Sequence, residues 1–401
     1  MQAELREGDI HDLVPEWTEL FRGDDRATPF QAPAWVYAWW RHWTWRARPW
    51  VLTVRHEGRL VGLLALCRQR VGGLRVLRTN GEPGDYCDML AVPELRERVA
   101  AVIAAELRAH ARDWDALILS QLPPGSTTAM AAERAGLRAS HRGEIACPGL
   151  ALPDTFDAYL SSLSKSRRGN LRRHLRRLDD GDVKLRERGL EDLAGTIERW
   201  QAMRAREWQA LGKQLNPAHT SAKFRSLLVD ALSGLIPDGL AQVWEFHHDG
   251  ELVGSFVNFC DERTFYHYLG AFEPEKRSLG IGKIATAEAI RRSIAHGRSY
   301  YDFTRGREPY KYWFGAADRQ SGTVVLRGAR PRSLVVAPAC VLAARVNGPA
   351  RRHWSQSFAH RIYDAIDVPR PQFLMDRQRR HLGPQPSDPR EGGLVDERVR
   401  T

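Results

Sequence analysis

The stretch that most narrows the fold runs from Thr264 to His296. An alternating strand pattern, Thr264–Phe272, leads into Glu273-Pro274-Glu275-Lys276-Arg277-Ser278-Leu279-Gly280-Ile281-Gly282. A helical pattern, Gly282–His296, follows and closes at Gly297. Glycines at a strand-to-helix turn let the backbone approach a ligand closely. The first amides of a helix have no carbonyl partner inside it, so such a turn suits a pyrophosphate. Arg277 and Lys283 add positive charge beside it. The spacing R-x-x-G-x-G after a three-strand meander is not a Rossmann fingerprint, which follows the first strand of a βαβ unit. It is not a P-loop either, which needs G-K-[ST]. A glycine turn with no ligand fits the same letters.

The elements around the turn occur twice. Ala241–His247 and Glu251–Cys260 flank His248-Asp249-Gly250, a hairpin signal. Earlier, Val51–Arg55 and Leu60–Cys67 flank Glu57-Gly58, and Leu74–Arg78, helix Leu95–Ala111 and strand Ala116–Leu119 follow. Hairpin, third strand, helix, strand is the order in both. The expectation is an α/β (α+β) protein of two tandem domains, each a mixed twisted sheet flanked by helices. Residues 1–148 form the first, which lacks R-x-x-G-x-G, and residues 149–330 the second. Residues 331–401 are expected to be a helical segment and a disordered tail. The Trp-rich segment Phe30 to Trp45 reads as one core-facing helix, residues 138–147 as a strand, Tyr300–Thr304 as the strand after the cofactor helix, and Thr323–Arg327 as a last strand.

Composition sets the partners. Hydrophobic residues make up 43% of the 401, enough for real cores. The net charge of +11 favours anionic partners: CoA phosphates, nucleic acid or an acidic membrane face. The five cysteines show no metal-ligand or C-x-x-C spacing, and fit a reduced cytoplasmic compartment. No metal constellation is legible. The longest apolar run, Leu334–Ala344, is broken by Pro338 and is far short of a bilayer span. The opening MQAELREGDIHD is acidic and polar and does not read as a signal peptide.

Phe272 to Gly282 resembles motif A of the GNAT acyltransferases, V-x-P-x-x-[RQ]-x-x-G-x-[GA], with Phe272 in the place of Val. The resemblance implies an acyl-CoA donor. Leu279, Gly280, Ile281, Gly282 and Lys283 would then line the pyrophosphate, and the Phe272 N–H would hold the thioester carbonyl. Three further segments are similar to the CelD-like GNAT subfamily, associated with polysaccharide biosynthesis: F-Q-A-P-A-W at 30–35, R-R-G-N-L-R-R at 167–173, and D-F-T-R-G-R-E-P-Y-K-Y-W-F-G at 302–315. That pattern covers roughly residues 28–318. It is distantly similar to the Fem-type aminoacyltransferases, which pair two GNAT-like domains and take amino acids from tRNA. The reaction implied is direct transfer of an acyl group, acetyl first among them, to an amine of a small molecule, sugar or envelope precursor. Fem-type transfer and a GNAT-fold binding protein without chemistry are the alternatives.

Candidate groups follow from that reaction. Asp302 or Glu308 would take a proton from the amine, and Tyr310 would protonate the leaving thiolate. Asp302 pairing structurally with Arg305 or Arg307 is the alternative. In the first domain, Asp85, Tyr86 and Asp88 lie on a glycine-bounded loop that could bind a polar acceptor or simply be a solvated turn. The basic helix Ser164–Leu178 carries a Leu stripe (Leu163, Leu171, Leu175, Leu178). Its other face, with Arg168, Arg172 and Arg176 at four-residue spacing, forms a positive ridge. The ridge could hold an anionic carrier or tRNA, or be a solvated face.

Overall fold

The computed structural model describes residues 1–43, 48–71, 73–212 and 217–335. The first half contains β1 (Gln2–Glu7), α1 (Val14–Gly23), α2 (Pro33–Ala38), β2 (Arg48–His56), β3 (Arg59–Val71), β4 (Leu74–Arg78) and β5 (Leu90–Ala91). Then come α3 (Arg96–Ala109), β6 (Ala116–Leu122), α4 (Thr127–Arg134) and β7 (Ala139–Ala151). The second half contains α5 (Phe156–Ser162), α6 (Lys165–Asp179), β8 (Lys184–Arg188), α7 (Leu193–Ala210), α8 (Ala222–Leu235), β9 (Ala241–His248) and β10 (Glu251–Cys260). It continues with β11 (Thr264–Phe272), α9 (Ile281–Ala295), β12 (Tyr300–Asp302), α10 (Pro309–Trp313) and β13 (Ala317–Arg327). The expected helical segment and tail lie outside the described residues, apart from a 3-10 turn at Pro331–Val335.

All thirteen strands among the described residues join one mixed sheet, in the order β1-β2-β3-β4-β6-β13-β7-β12-β11-β10-β9-β8, with β5 paired to β3. Helices flank it. The two hairpins turn alike. Glu57 and Gly58 have φ of 53° and 80°, and Asp249 and Gly250 have φ of 50° and 81°. Positive φ at both central residues matches the twist of the flanking strands. Each half also has one parallel pair, β4 with β6 and β11 with β12. β13 departs from the repeated order. It lies between β6 and β7, antiparallel to both. The boundary expected after residue 148 falls inside β7, which holds β13 on one edge and β12 on the other.

The Phe30–Trp45 segment is not one helix. A 3-10 turn at Pro29–Gln31, α2 and a π turn at Trp39–Trp43 share it. Pro33 is the cause: it holds the preceding Ala32 extended (φ −62°, ψ 142°). The break turns Phe30 and Trp35 into a core shared by the two halves. Phe30 lies 5.2 Å from both Trp35 and Phe259 and 5.6 Å from Tyr268, all edge-on. Truncating this fully buried ring would cost about 3–5 kcal/mol. Two other cores lie under α9 in the second half and under α3 in the first.

Candidate functional site

β11 and β12 pair only from Thr264↔Tyr300 to Tyr266↔Asp302, while β11 continues to Phe272. β12 is shorter than expected because Thr304 turns the chain at φ 55°. The sheet therefore opens along the upper edge of β11. Ladder alternation aims the last amide of that edge. Glu273 N–H donates to the Val253 carbonyl at 3.0 Å, so Phe272, one residue earlier, points its N–H away from β10 and into the opening. Immediately beyond lies the glycine turn. Gly280 takes the left-handed conformation (φ 71°) and starts α9. Leu279 and Ile281, both buried, pin the turn from either side. The amides of Ile281 and Gly282 are the first of α9 and have no carbonyl within the helix. That of Lys283 donates to the Gly280 carbonyl at 2.9 Å. Arg277 is exposed.

The basic helix lies across this turn. Leu171 and Leu175 are buried, with Leu178 packed behind them. The face beside them reaches α9. Asn170 Oδ1 accepts from Lys283 Nζ at 3.3 Å, and Arg177 Nη1 donates to the Leu279 carbonyl at 3.3 Å. A side chain on Gly280 would collide with the imidazole of His174. Gly280 thus serves helix packing as well as the turn. Gly282 is roomier, and a Cβ there meets only the Phe272 ring at 3.7 Å. Burial, then the charges of Lys283, Arg173 and Arg177, push the His174 imidazole down. Burial and Arg173 lower the Lys283 ammonium, which sits 4.9 Å from the Trp313 ring centre. Arg172 and Arg176 are exposed and Arg168 half-buried. The residues around the turn fit a phosphate-bearing donor: first-turn amides, open room at Gly282 and a cationic surround.

On the other face of β12 lies a cleft of about 1380 Å³ between the halves. Asp302 lines it, together with Tyr86, Asp88, Tyr300 and Arg319. Asp302 is buried. Tyr86 O–H donates to its carboxylate, 2.8 Å from each oxygen, and Thr304 N–H donates at 2.6 Å. Burial raises this carboxyl to about 7, against the opposing effect of those two donors. The loop that supplies Tyr86 makes further contacts with the second half. Asp85 pairs with Arg305 Nε at 2.8 Å, and Tyr268 O–H donates to the Pro83 carbonyl at 2.8 Å. Neither arginine offered as a structural partner of Asp302 pairs with it: Arg305 pairs with Asp85 and Arg307 with Asp318. Asp88 is occupied as the cap of α4, accepting from Ser126 Oγ and from the amides of Thr127 and Thr128.

Residues 165–312 match the Acetyltransferase (GNAT) domain family. The match takes in α6, the opening, the glycine turn and Asp302. No curated protein matches the chain in sequence. Among solved structures, FemX resembles it with a TM-score of 0.62 and 13% identity, over 82% of this chain and 99% of that one. A conserved protein of unknown function from Bacteroides thetaiotaomicron has a TM-score of 0.54 and 11% identity, over 81% and 100%. L-PGS from Bacillus licheniformis has 0.50 and 13%, over 83% and 97%. At these identities the likeness is one of fold, and it extends well beyond the GNAT match into the first half.

Within the GNAT segment, strand alternation separates the expected acid and base. Tyr301 and Phe303 face the core under α9, and the Tyr310 ring lies edge-on to Phe303 at 6.0 Å. Asp302 faces the cleft instead, and neither Glu308 nor Tyr310 borders it. Glu308 is mostly exposed and pairs with Lys311 Nζ at 2.9 Å. Sequence reasoning missed Lys311. It is buried, and its ammonium donates to the carbonyls of Thr304, Arg305 and Gly306 at 3.3, 2.8 and 3.1 Å, fixing the loop beside the opening. It also missed Arg204, which donates to the Gly270 carbonyl on the open edge at 3.1 Å and pairs with the buried Glu207 at 2.9 Å. Arg204 meets the Gly270 carbonyl 66 residues away, and the partners of Lys311 are main-chain carbonyls five to seven residues back, which no side-chain pattern marks. No helix among the described residues is long and apolar enough to cross a membrane, and no group of three or more metal-ligating side chains occurs among them.

Proposed function

We propose that the protein transfers an acyl group from acyl-CoA to an amine, with the donor entering at the glycine turn and the acceptor held in the cleft between the halves. The observation that carries this reading is the opening beside β11, with the first turn of α9 on one side and Asp302 on the other. The first-turn amides of Ile281 and Gly282 bind pyrophosphate oxygens. The Phe272 N–H stabilises the charge that develops on the thioester oxygen. Asp302 takes a proton from the amine as the C–N bond forms and the C–S bond breaks, and Tyr310 returns a proton to the thiolate. An acid and a base on opposite faces of β12 suit two substrates that approach from opposite sides. An amine of pKa about 10 is mostly protonated at neutral pH, and a carboxylate that titrates near 7 is well matched to accept its proton. The acceptor class is a small molecule, a sugar or an envelope-polysaccharide precursor, the last in keeping with the CelD-like segments, and the reaction belongs in the cytoplasm.

Acetyl-CoA titrated calorimetrically into wild-type protein should bind, and Gly282→Val should abolish binding while the melting temperature holds. Undiminished affinity in that variant removes the site. Fem-type aminoacyl transfer is the second reading, favoured by one observation: His174 of α6 fills the space in front of Gly280. Turnover supported by aminoacyl-tRNA but not by acyl-CoA would replace the first reading with the second. Binding of acetyl-CoA without thiol release on any amine would leave a GNAT-fold binding protein.

A further inference from the structure

Six arginines line the cleft, and five are engaged. Arg22, Arg41 and Arg263 face Asp238, Asp230 and Asp25. Arg26 and Arg298 donate to the carbonyls of Gly125 and Asp261. Arg319 has no carboxylate or carbonyl partner among the described residues. Its guanidinium lies 3.8 Å from the centre of the Tyr300 ring. The ring itself is seated. A side chain on Gly149 of β7 would collide with the Tyr300 hydroxyl, so the ring lies across that strand toward β13. Asp302 and Arg319 flank the same strand, opposite Gly149 and Cys147 respectively. Those two positions are two apart and share a face, so the carboxyl and the guanidinium border the same space. Strand spacing puts their backbones roughly 12 Å apart, and the side chains shorten that to the reach of a small molecule.

A guanidinium stacked on an aromatic face keeps its edge N–H groups free and in one plane, the arrangement that receives a carboxylate or a phosphate. We propose that Arg319, held on Tyr300, binds an anionic group of the acceptor while the acceptor's amine meets Asp302. The acceptor is then an amine that carries a carboxylate or phosphate, not a neutral or purely cationic amine. This rests on the acyl-transfer reading of the cleft.

The test uses the full chain, acetyl-CoA and matched acceptors: glucosamine 6-phosphate against glucosamine, and lysine against 1,5-diaminopentane. The anionic member of at least one pair should have a kcat/KM about tenfold higher, the effect of one charge-assisted contact. The phosphate pair and the carboxylate pair show which anion is read. In Arg319→Gln the preference should collapse toward one, chiefly through KM, and Arg319→Lys should keep part of it. Equal kcat/KM within both pairs, or an undiminished preference in Arg319→Gln, overturns the proposal. A measurement that needs no turnover is the Arg319 Nε–Hε resonance, identified by its loss in Arg319→Gln. Inorganic phosphate should shift it saturably in wild type, and a flat response overturns the site. Failure of acetyl-CoA to bind, with a saturable phosphate shift, would overturn the acyl-transfer reading and leave the anion site standing.

Discussion

The chain leaves β4 and β11 by connections of contrasting use. After β11 a short turn runs straight into α9 and leaves room at Gly282, while His174 of α6 fills the space at Gly280. After β4 the connection is longer and its side chains go to the other half: Asp85 to Arg305 and Tyr86 to Asp302. The start of α3 is closed by a residue of its own, Arg96, which pairs with Asp24 and Asp25. One connection therefore leaves room at a helix start, and the other uses two of its side chains to join the two halves. Catalysis, on this reading, needs both: the second half brings the base, and the first supplies the hydroxyl that tunes it.

Asp302→Asn should break that partnership most severely, lowering kcat at pH 8 by about 100- to 1000-fold. In wild type kcat should rise with pH through about 7, because burial lifts the carboxyl there and only its ionised form accepts a proton. Tyr86→Phe removes a donor that favours the ionised form, so the rise should move to higher pH and activity should recover in alkali. A profile that stays in place would reduce the first half's loop to packing. The same group carries a stability signature. Folded Asp302 holds its proton between about pH 4 and 7, where the unfolded chain has lost it, so stability falls as pH rises across that window. Melting curves of Asp302→Asn should show a shallower fall.

Arg305→Met should rank next. It leaves Asp85 buried without its cation, at a cost of about 2–4 kcal/mol once the partial exposure of Arg305 is allowed for. Urea unfolding measures this, and a change within 0.5 kcal/mol would mean that the inter-half contact carries little. The two glycines sharpen the contrast further. Gly280→Ala should cost about 1–3 kcal/mol, since it forces a side chain at positive φ against His174. Gly282→Ala should leave the melting temperature nearly unchanged and weaken only acetyl-CoA binding. Equal effects from the two would show that α6 does not sit on the turn in solution. The smallest effect is expected from Gln at 168, 172 and 176 together. The acceptor KM should rise a few-fold at ~50 mM salt and converge with wild type by ~200 mM, as screening shortens. No salt-dependent difference would make the ridge a solvated face.

What was legible in the sequence was local. β4, β10 and β11 follow from alternation and hairpin turns, and the burial of Leu171 and Leu175 follows from helical spacing. The glycine turn follows from its own residues. Part of what escaped depends on partners far along the chain. Tyr86 and Asp302 are 216 residues apart, and neither segment carries a mark of the other. Lys311 reads as one more surface lysine until its loop folds round it. The Phe30–Trp45 pattern gave the right buried face and the wrong helix, because periodicity outweighed Pro33 in the reading but not in the chain. β13 was visible only at its end, Thr323–Arg327, and nothing in its letters names β6 and β7 as neighbours.

The position of β13 between β6 and β7 has a consequence for synthesis. A ribosome finishes every other strand of the first half by residue 151, yet two of them, β6 and β7, face a gap until residues 317–327 emerge. That gap has strand edges on both sides, the exposure that invites wrong pairings in a nascent chain. The N-terminal portion must wait, incompletely closed, for nearly the whole of the second half to be made. Release of residues 1–316 should accordingly yield an aggregating species, and addition of β13 should convert it into one that unfolds in a single step.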